Sequence, residues 1–325
     1  MHRKIDLCIN LTEKTEFAGA VYAAVTIHYP SENLCNPPVV IFCFPGGGYG
    51  RGYFDLQIPN RNGYSQAEHH VSAGLILVAC DHLGVGGSSE VDRSRSSYEN
   101  IAAANTIVVS EVSELIRGGS VAPDLPAIHD PLLIGMGQSF GGMMLIIQQG
   151  RQHPFDAVAV LGYSAHHTQV PTPMSTATSM EGGVIRLDKW TPDDYWRYAF
   201  FWEDVPKPIV DADMEGGHPG RKPPLPMWAS DRRPGGVHIS ARLPNVVSHW
   251  AAVIECPVFI GCGERDVCSD PWSEPGNYGR AKDITLAVIP WMAHMHNFAG
   301  TRHELWARLV TWIKGVLEVR HGKVR

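Results

Sequence analysis

The sequence has no basic surplus. Its 27 Lys and Arg stand against 33 Asp and Glu, a formal net charge of −6, so nothing is in excess to neutralise phosphates and no nucleic-acid partner is expected. No uninterrupted apolar stretch approaches the length of a membrane span, so no membrane partner is expected either. There is no CxxC pair. The seven cysteines (Cys8, Cys35, Cys43, Cys80, Cys256, Cys262, Cys268) are odd in number and scattered. Several lie in apolar strand-like runs, where a thiol behaves as a small hydrophobe, and this usage fits a reducing compartment. The opening "MHRKIDLCINLTEKTE" reaches polar residues too soon for a signal-peptide core, and a soluble cytoplasmic protein is expected. HExxH and comparable ligand spacings are missing, so His166-His167 and His294-Met295-His296 suggest no metal, and no cofactor is expected. "LGVGGSS" lacks the lysine of a P-loop and reads as a turn.

What the chain does have is a strand and helix alternation. "YAAVTIHYP", "PPVVIFCFP", "LILVACDHLG", "DPLLIGMG" and "FDAVAVLGYS" read as strands. "GYSQAEHHVSAG", "SYENIAAANTIVVSEVSELIRGG" and "FGGMMLIIQQGRQHP" read as helices between them. Continuous apolar strands separated by helices imply a mostly parallel sheet covered on both faces, an α/β fold. From His166 to Ser248 the rhythm fails in favour of Pro, Gly and aromatic residues. Only "TPDDYWRYAFFWED" looks helical there, with Thr191 as N-cap and Pro192 at its first position. Residues 166–248 therefore read as an inserted cap, and 1–165 with 249–325 as the core domain. After it come helix "NVVSHWAAVI", strands "CPVFIGCGE" and "DITLAVIP", and a last amphipathic helix "TRHELWARLVTWIKGVLE".

"GMGQSFGG" admits two readings. One is a variant dinucleotide loop, which needs backbone close to an anion at a helix N-terminus. The other is Gly137-x-Ser139-x-Gly141, a nucleophile elbow, which needs small residues two before and two after the serine. The dinucleotide reading asks for an acidic residue at the end of the following strand, and that strand ends in Tyr163 and Ser164. An elbow asks for a base, an orienting carboxylate and oxyanion donors. Asp266 follows one late strand, with Glu264 and Asp270 as alternatives, and His294 follows the next, with His296 as the alternative base. Pro45-Gly46-Gly47-Gly48 follows an early strand, so the N–H groups of Gly47 or Gly48 can join that of Phe140 around an oxyanion.

These pieces ("GQSFG", "PGGG", "DHLGVGGSS", "GERD" and the late histidine), in this order, resemble the α/β-hydrolase superfamily over nearly the whole chain. The loop departs from the HGGG of many esterases in the family, since Pro45 cannot make a histidine's contacts. The resemblance implies a serine hydrolase of the esterase or lactonase kind: Ser139 as nucleophile, His294 as base, Asp266 as its orienting acid, and an acyl-enzyme. The expected substrate is a carboxylic ester or lactone of a medium-sized apolar or aromatic small molecule. Tyr49, Gln138, Trp196 and Phe200 are its expected contacts, and Arg197, Arg232 and Arg233 are candidates to meet an anionic group. The alternatives are a C–C bond (diketone) hydrolase using the same triad and a non-catalytic binding protein of the same fold. A homodimer is left open.

Overall fold

The computed structural model describes residues 1–173, 191–217, 221–234 and 241–322. Among these, eight strands form one sheet: β1 (His2–Asn10), β2 (Tyr22–Pro30), β3 (Val39–Phe44), β4 (Ile76–Cys80), β5 (Leu132–Gln138), β6 (Ala157–Leu161), β7 (Val258–Arg265) and β8 (Ile284–Ala293). Their order is β1-β2-β4-β3-β5-β6-β7-β8. β1 and β4 flank β2 antiparallel, and every other pairing is parallel.

The strands are apolar without alternation because both faces are covered. In β3, Val40, Phe42 and Phe44 join one core with Val108 and Val112 of α2 (Tyr98–Arg117) and Met143 and Ile147 of α3 (Phe140–Gln152). The intervening Val39, Ile41 and Cys43 join a second core with Ala67 of α1 (Gln66–Ser72) and with Leu305 and Leu309 of the C-terminal helix, Arg302–Gly322. This matches the expected α/β architecture.

Three elements differ from expectation. Residues 2–10 carry no assignment in the sequence reading, yet they form edge strand β1. Ile9 is buried and Ile5 and Leu7 half-buried, alternating with exposed residues. Between β6 and β7, helix α4 (Pro192–Phe200) starts where expected, Thr191 and Asp194 capping each other's backbone. A second helix, α5 (Lys207–Met214), stands where no helical period is legible. The helix expected over 245–254 contracts to one turn, α6 (Ser248–Ala251); the C-terminal helix is therefore α7. Parts of the expected cap (174–190, 218–220 and 235–240) lie outside the described residues. No helix among the described residues is long and apolar enough to cross a membrane.

From β3 the chain steps one way to β4, then returns past β3 to β5 and onward to β8. The order thus reverses between β3 and β5, the place where an open parallel sheet leaves a crevice at its carboxyl end. The glycine loop follows β3 and Ser139 follows β5.

Candidate active site

Ser139 sits between β5 and α3 with φ 54° and ψ −119°, a conformation that a residue with a side chain adopts only under constraint. The constraint is steric. A methyl group on Gly137 would strike the Gly141 carbonyl, and one on Gly141 would strike the carbonyl of Phe44. Only glycine at both positions lets strand, helix and β3 come this close, which is the physical content of the G-x-S-x-G pattern.

Ser139 Oγ lies 2.9 Å from His294 Nε2, and His294 Nδ1 lies 2.7 Å from Asp266 Oδ1. With Nδ1–H donating to the carboxylate, Nε2 is left as acceptor for the serine hydroxyl. Asp266 follows β7 just after an irregularity in its register with β8. The second histidine is not idle: His296 Nε2 donates to the other carboxylate oxygen at 2.6 Å. Asp266 also accepts from the backbone N–H of Gly263 (2.9 Å) and Val267 (2.7 Å). Burial works against ionisation of this carboxyl. The neighbouring imidazoles and their hydrogen bonds outweigh it and hold Asp266 well below the usual carboxylate range. Asp266, His294 and His296 are all buried. Gly162, at the end of β6, lies against all three; a methyl there would come within 3.2 Å of both imidazoles and 3.3 Å of the carboxylate.

Phe140 and Gly47 line one cavity with Ser139 and His294. Among the described residues, no backbone carbonyl accepts from the N–H of Phe140, Gly47 or Gly48. Gly48 lies outside that cavity wall, and its carbonyl accepts from Ser230 N–H at 3.0 Å. The loop's own support comes from a histidine elsewhere in the chain. Buried His82 donates through Nε2 to the Pro45 carbonyl (3.0 Å) and accepts at Nδ1 from Asn105 (2.9 Å).

Of the four expected substrate contacts, two line the cavity. Trp196 and Phe200 project from α4 into its wall, with ring centroids 5.1 Å apart and Phe200 5.3 Å from the His294 ring. Tyr49 does not: it is buried beneath the glycine loop, its hydroxyl on Asp213 at 2.6 Å. Gln138 is buried as well and donates to the His294 carbonyl at 3.0 Å, tying the elbow to the histidine loop. Glu264 and Asp270 do not reach His294. Glu264 accepts from the Trp291 N–H instead. Sequence reasoning missed the joint use of His294 and His296, the role of Gly162 and the presence of Arg242 in the cavity wall. A glycine closing an otherwise apolar strand was the available signal for Gly162; Arg242 offered none.

No family model matches the chain, and no curated protein matches it in sequence. Solved structures do match in shape. A thermophilic esterase from Thermogutta terrifontis superposes with TM-score 0.62 at 12% identity, over 95% of this chain and 99% of that one. The proline iminopeptidase of Mycobacterium smegmatis gives 0.61 at 15% identity, over 95% and 98%. An alpha/beta hydrolase fold protein from Chitinophaga pinensis gives 0.54 at 16%, over 92% and 96%. Identities this low establish the fold alone.

Proposed function

We propose that this chain, whose fold is that of the α/β-hydrolases, is a serine hydrolase acting on a carboxylic ester or lactone. One observation carries the reading: a backbone-constrained serine at the edge of a cavity, hydrogen-bonded to an imidazole that a buried carboxylate orients. Ser139 Oγ attacks the carbonyl while His294 Nε2 takes its proton. The oxyanion that forms is received by the N–H groups of Phe140 and Gly47, and Asp266 stabilises the imidazolium. His294 then protonates the leaving alcohol, and a water activated by the same imidazole releases the acyl group. The complete hydrogen-bonded chain weighs against a non-catalytic role.

The segment 166–248 acts as a cap, since α4 supplies two aromatic walls of the cavity. That cavity measures about 90 Å³, below the roughly 300 Å³ at which drug-sized sites begin. It therefore favours a compact ester. Seven free cysteines support a reducing, cytoplasmic setting.

The test is hydrolysis of a panel of aryl esters, lactones and β-diketones by the wild type and Ser139→Ala. Ester or lactone turnover should fall by several orders of magnitude in the variant with its circular dichroism unchanged. Equal turnover by both proteins would refute the assignment, and turnover of diketones alone would transfer the triad to C–C cleavage.

A further inference from the structure

The turn that follows β4 places His82 behind the glycine loop. Its backbone is fixed on both sides: Asp81 N–H donates to Ala24 O at 2.9 Å, and the His82 carbonyl accepts from Val85 N–H at 3.0 Å. The side chain is fully buried and uses both ring nitrogens. Nδ1 accepts from the side-chain amide of Asn105, buried on α2, at 2.9 Å. The ring proton therefore stands on Nε2, which donates to the Pro45 carbonyl at 3.0 Å. Burial lowers the imidazole pKa, which keeps the ring neutral and this tautomer in place. The ring also packs between aromatic neighbours. Phe44 stacks on it with centroids 5.9 Å apart, and Phe140 meets it edge to face at 5.2 Å.

One imidazole thus touches both segments from which an oxyanion would draw its donors. The Pro45 carbonyl belongs to the peptide unit directly before the one that carries the Gly47 N–H, and Phe140 carries the other N–H. Loop and elbow already lie close: a methyl on Gly46 would come within 3.1 Å of Ser139 Cβ, and one on Gly47 would lie 3.9 Å from Phe140 Cβ. A run of three glycines has little preference of its own for one set of peptide planes. A donor misplaced by about an ångström loses much of its effect on a developing charge. We propose that His82, anchored by Asn105, is a positioning residue that sets the Gly47 N–H against the Phe140 N–H so that the two fit a tetrahedral oxyanion. This inference rests on the serine-hydrolase reading and deepens it. His82 lies outside the cavity wall and acts through the loop, so its contribution falls on the transition state and not on the bound ester.

Three substitutions test the role. In His82→Gln the amide nitrogen still reaches the Pro45 carbonyl; in His82→Asn the amide is one methylene shorter and does not. His82→Phe keeps a ring between Phe44 and Phe140 but removes the donor. The first readout is the split between kcat and KM on an aryl acetate, per active site titrated with a fluorophosphonate. The second is the Ki of an aryl trifluoromethyl ketone. Ser139 Oγ adds to its carbonyl carbon, the π electrons move to oxygen and the hydroxyl proton passes to His294 Nε2, so the adduct carries an oxyanion between the two donors. Removing one oxyanion donor costs roughly 10²–10³ in kcat, and a displaced donor should cost part of that. In His82→Asn and His82→Phe, kcat should therefore fall roughly 30- to 100-fold with KM held within about threefold, and the ketone Ki should rise by the factor that kcat loses. His82→Gln should recover most of both. A histidine that only supports the fold would lower Tm in these variants and leave kcat per titrated site and the ketone Ki at wild-type values, which overturns the proposal. A loss confined to KM, or one that His82→Gln does not recover, overturns it as well. If the wild type is neither labelled nor able to turn over any ester, the hydrolase reading itself fails and the positioning role falls with it.

Discussion

Replacing His294 and His296 one at a time should give unequal losses, because the two imidazoles hold opposite oxygens of one carboxylate but only His294 touches the serine. His294→Phe removes the base. A positioned general base contributes roughly 10²–10⁴-fold, and a triad member acting with its partners more, so kcat/KM should drop at least about a thousandfold. His296→Phe removes one of four donors to Asp266 and leaves the backbone N–H groups of Gly263 and Val267 to hold the carboxylate. A hydrogen bond to a charged group contributes roughly 1.5–3 kcal/mol to stability, which should lower Tm by a few degrees. The effect on kcat should stay within about tenfold, since 1.4 kcal/mol of misplacement already amounts to a factor of ten. The assay is kcat/KM on an aryl ester, with intact-mass detection of a fluorophosphonate adduct on Ser139. An adduct that survives His294→Phe but vanishes in His296→Phe would reassign the base. Equal losses of kcat/KM in the two variants would refute the unequal roles read from the geometry.

Other outcomes follow from the same geometry. Gly141→Ala should fail to give folded protein, or give protein that no fluorophosphonate labels, because its methyl group meets the Phe44 carbonyl; circular dichroism and labelling decide. Asp213→Ala strips the acceptor from Tyr49, Arg221 and Trp228 and leaves Arg221 buried without its counter-ion. The cost should be roughly 3–5 kcal/mol, read as a lower urea midpoint, with a slower kcat as the glycine loop loosens. His28 and His70 are buried, and burial lowers both from 6.5 to about 4. The unfolded chain binds their protons first as pH falls, so stability is full above pH 6.5 and lost progressively towards pH 4, on the order of 3 kcal/mol per group. Urea midpoints across that range should fall with pH and recover in part in His70→Gln; flat midpoints would contradict the burial argument. Asp55, held at about 2 against burial by Lys4 and Ser65, should matter only below about pH 4.

The core strands and the serine elbow are legible in the sequence because each rests on a local pattern: an uninterrupted apolar run, or small residues two before and two after Ser139. The order of Asp266 and His294 along the chain is legible for a related reason, as each closes a strand whose apolar run can be seen. What could not be read depends on which way a side chain faces. Edge strand β1 has one covered face and alternates charged with apolar residues, so its signal is weak beside the charged residues Arg3, Lys4 and Asp6. Helix α5 begins after Pro206, carries another proline at its second position and turns Asp213 inward with Ile209, Val210 and Met214. A buried aspartate breaks the apolar stripe by which a helix is recognised. Tyr49 and Gln138 stand next to the motifs in sequence but point away from the cavity, towards Asp213 and the His294 carbonyl. Proximity along the chain placed them near the chemistry; the pleat and the turn decided otherwise.

The aromatic stretch between β6 and β7 is fastened to both walls of the site, and this bears on how it can contribute. On the glycine-loop side, Gly50 N–H donates to Trp228 O and Ser230 N–H to Gly48 O, while Asp213 takes the Tyr49 hydroxyl. On the histidine side, the N–H groups of His294 and Met295 donate to the carbonyls of Ala199 and Phe200 at the end of α4. Arg265, one residue before Asp266, pairs with Glu203 at 2.6 Å and lies 3.9 Å over the Tyr198 ring. The segment that shapes the cavity is thus hydrogen-bonded to the loop carrying Gly47, the proposed oxyanion donor, and to the turn carrying His294, the proposed base. A substitution that shifts α4 should therefore change kcat as well as KM, because moving Phe200 moves the backbone to which His294 is bonded. A lid hinged freely above the site would change KM alone.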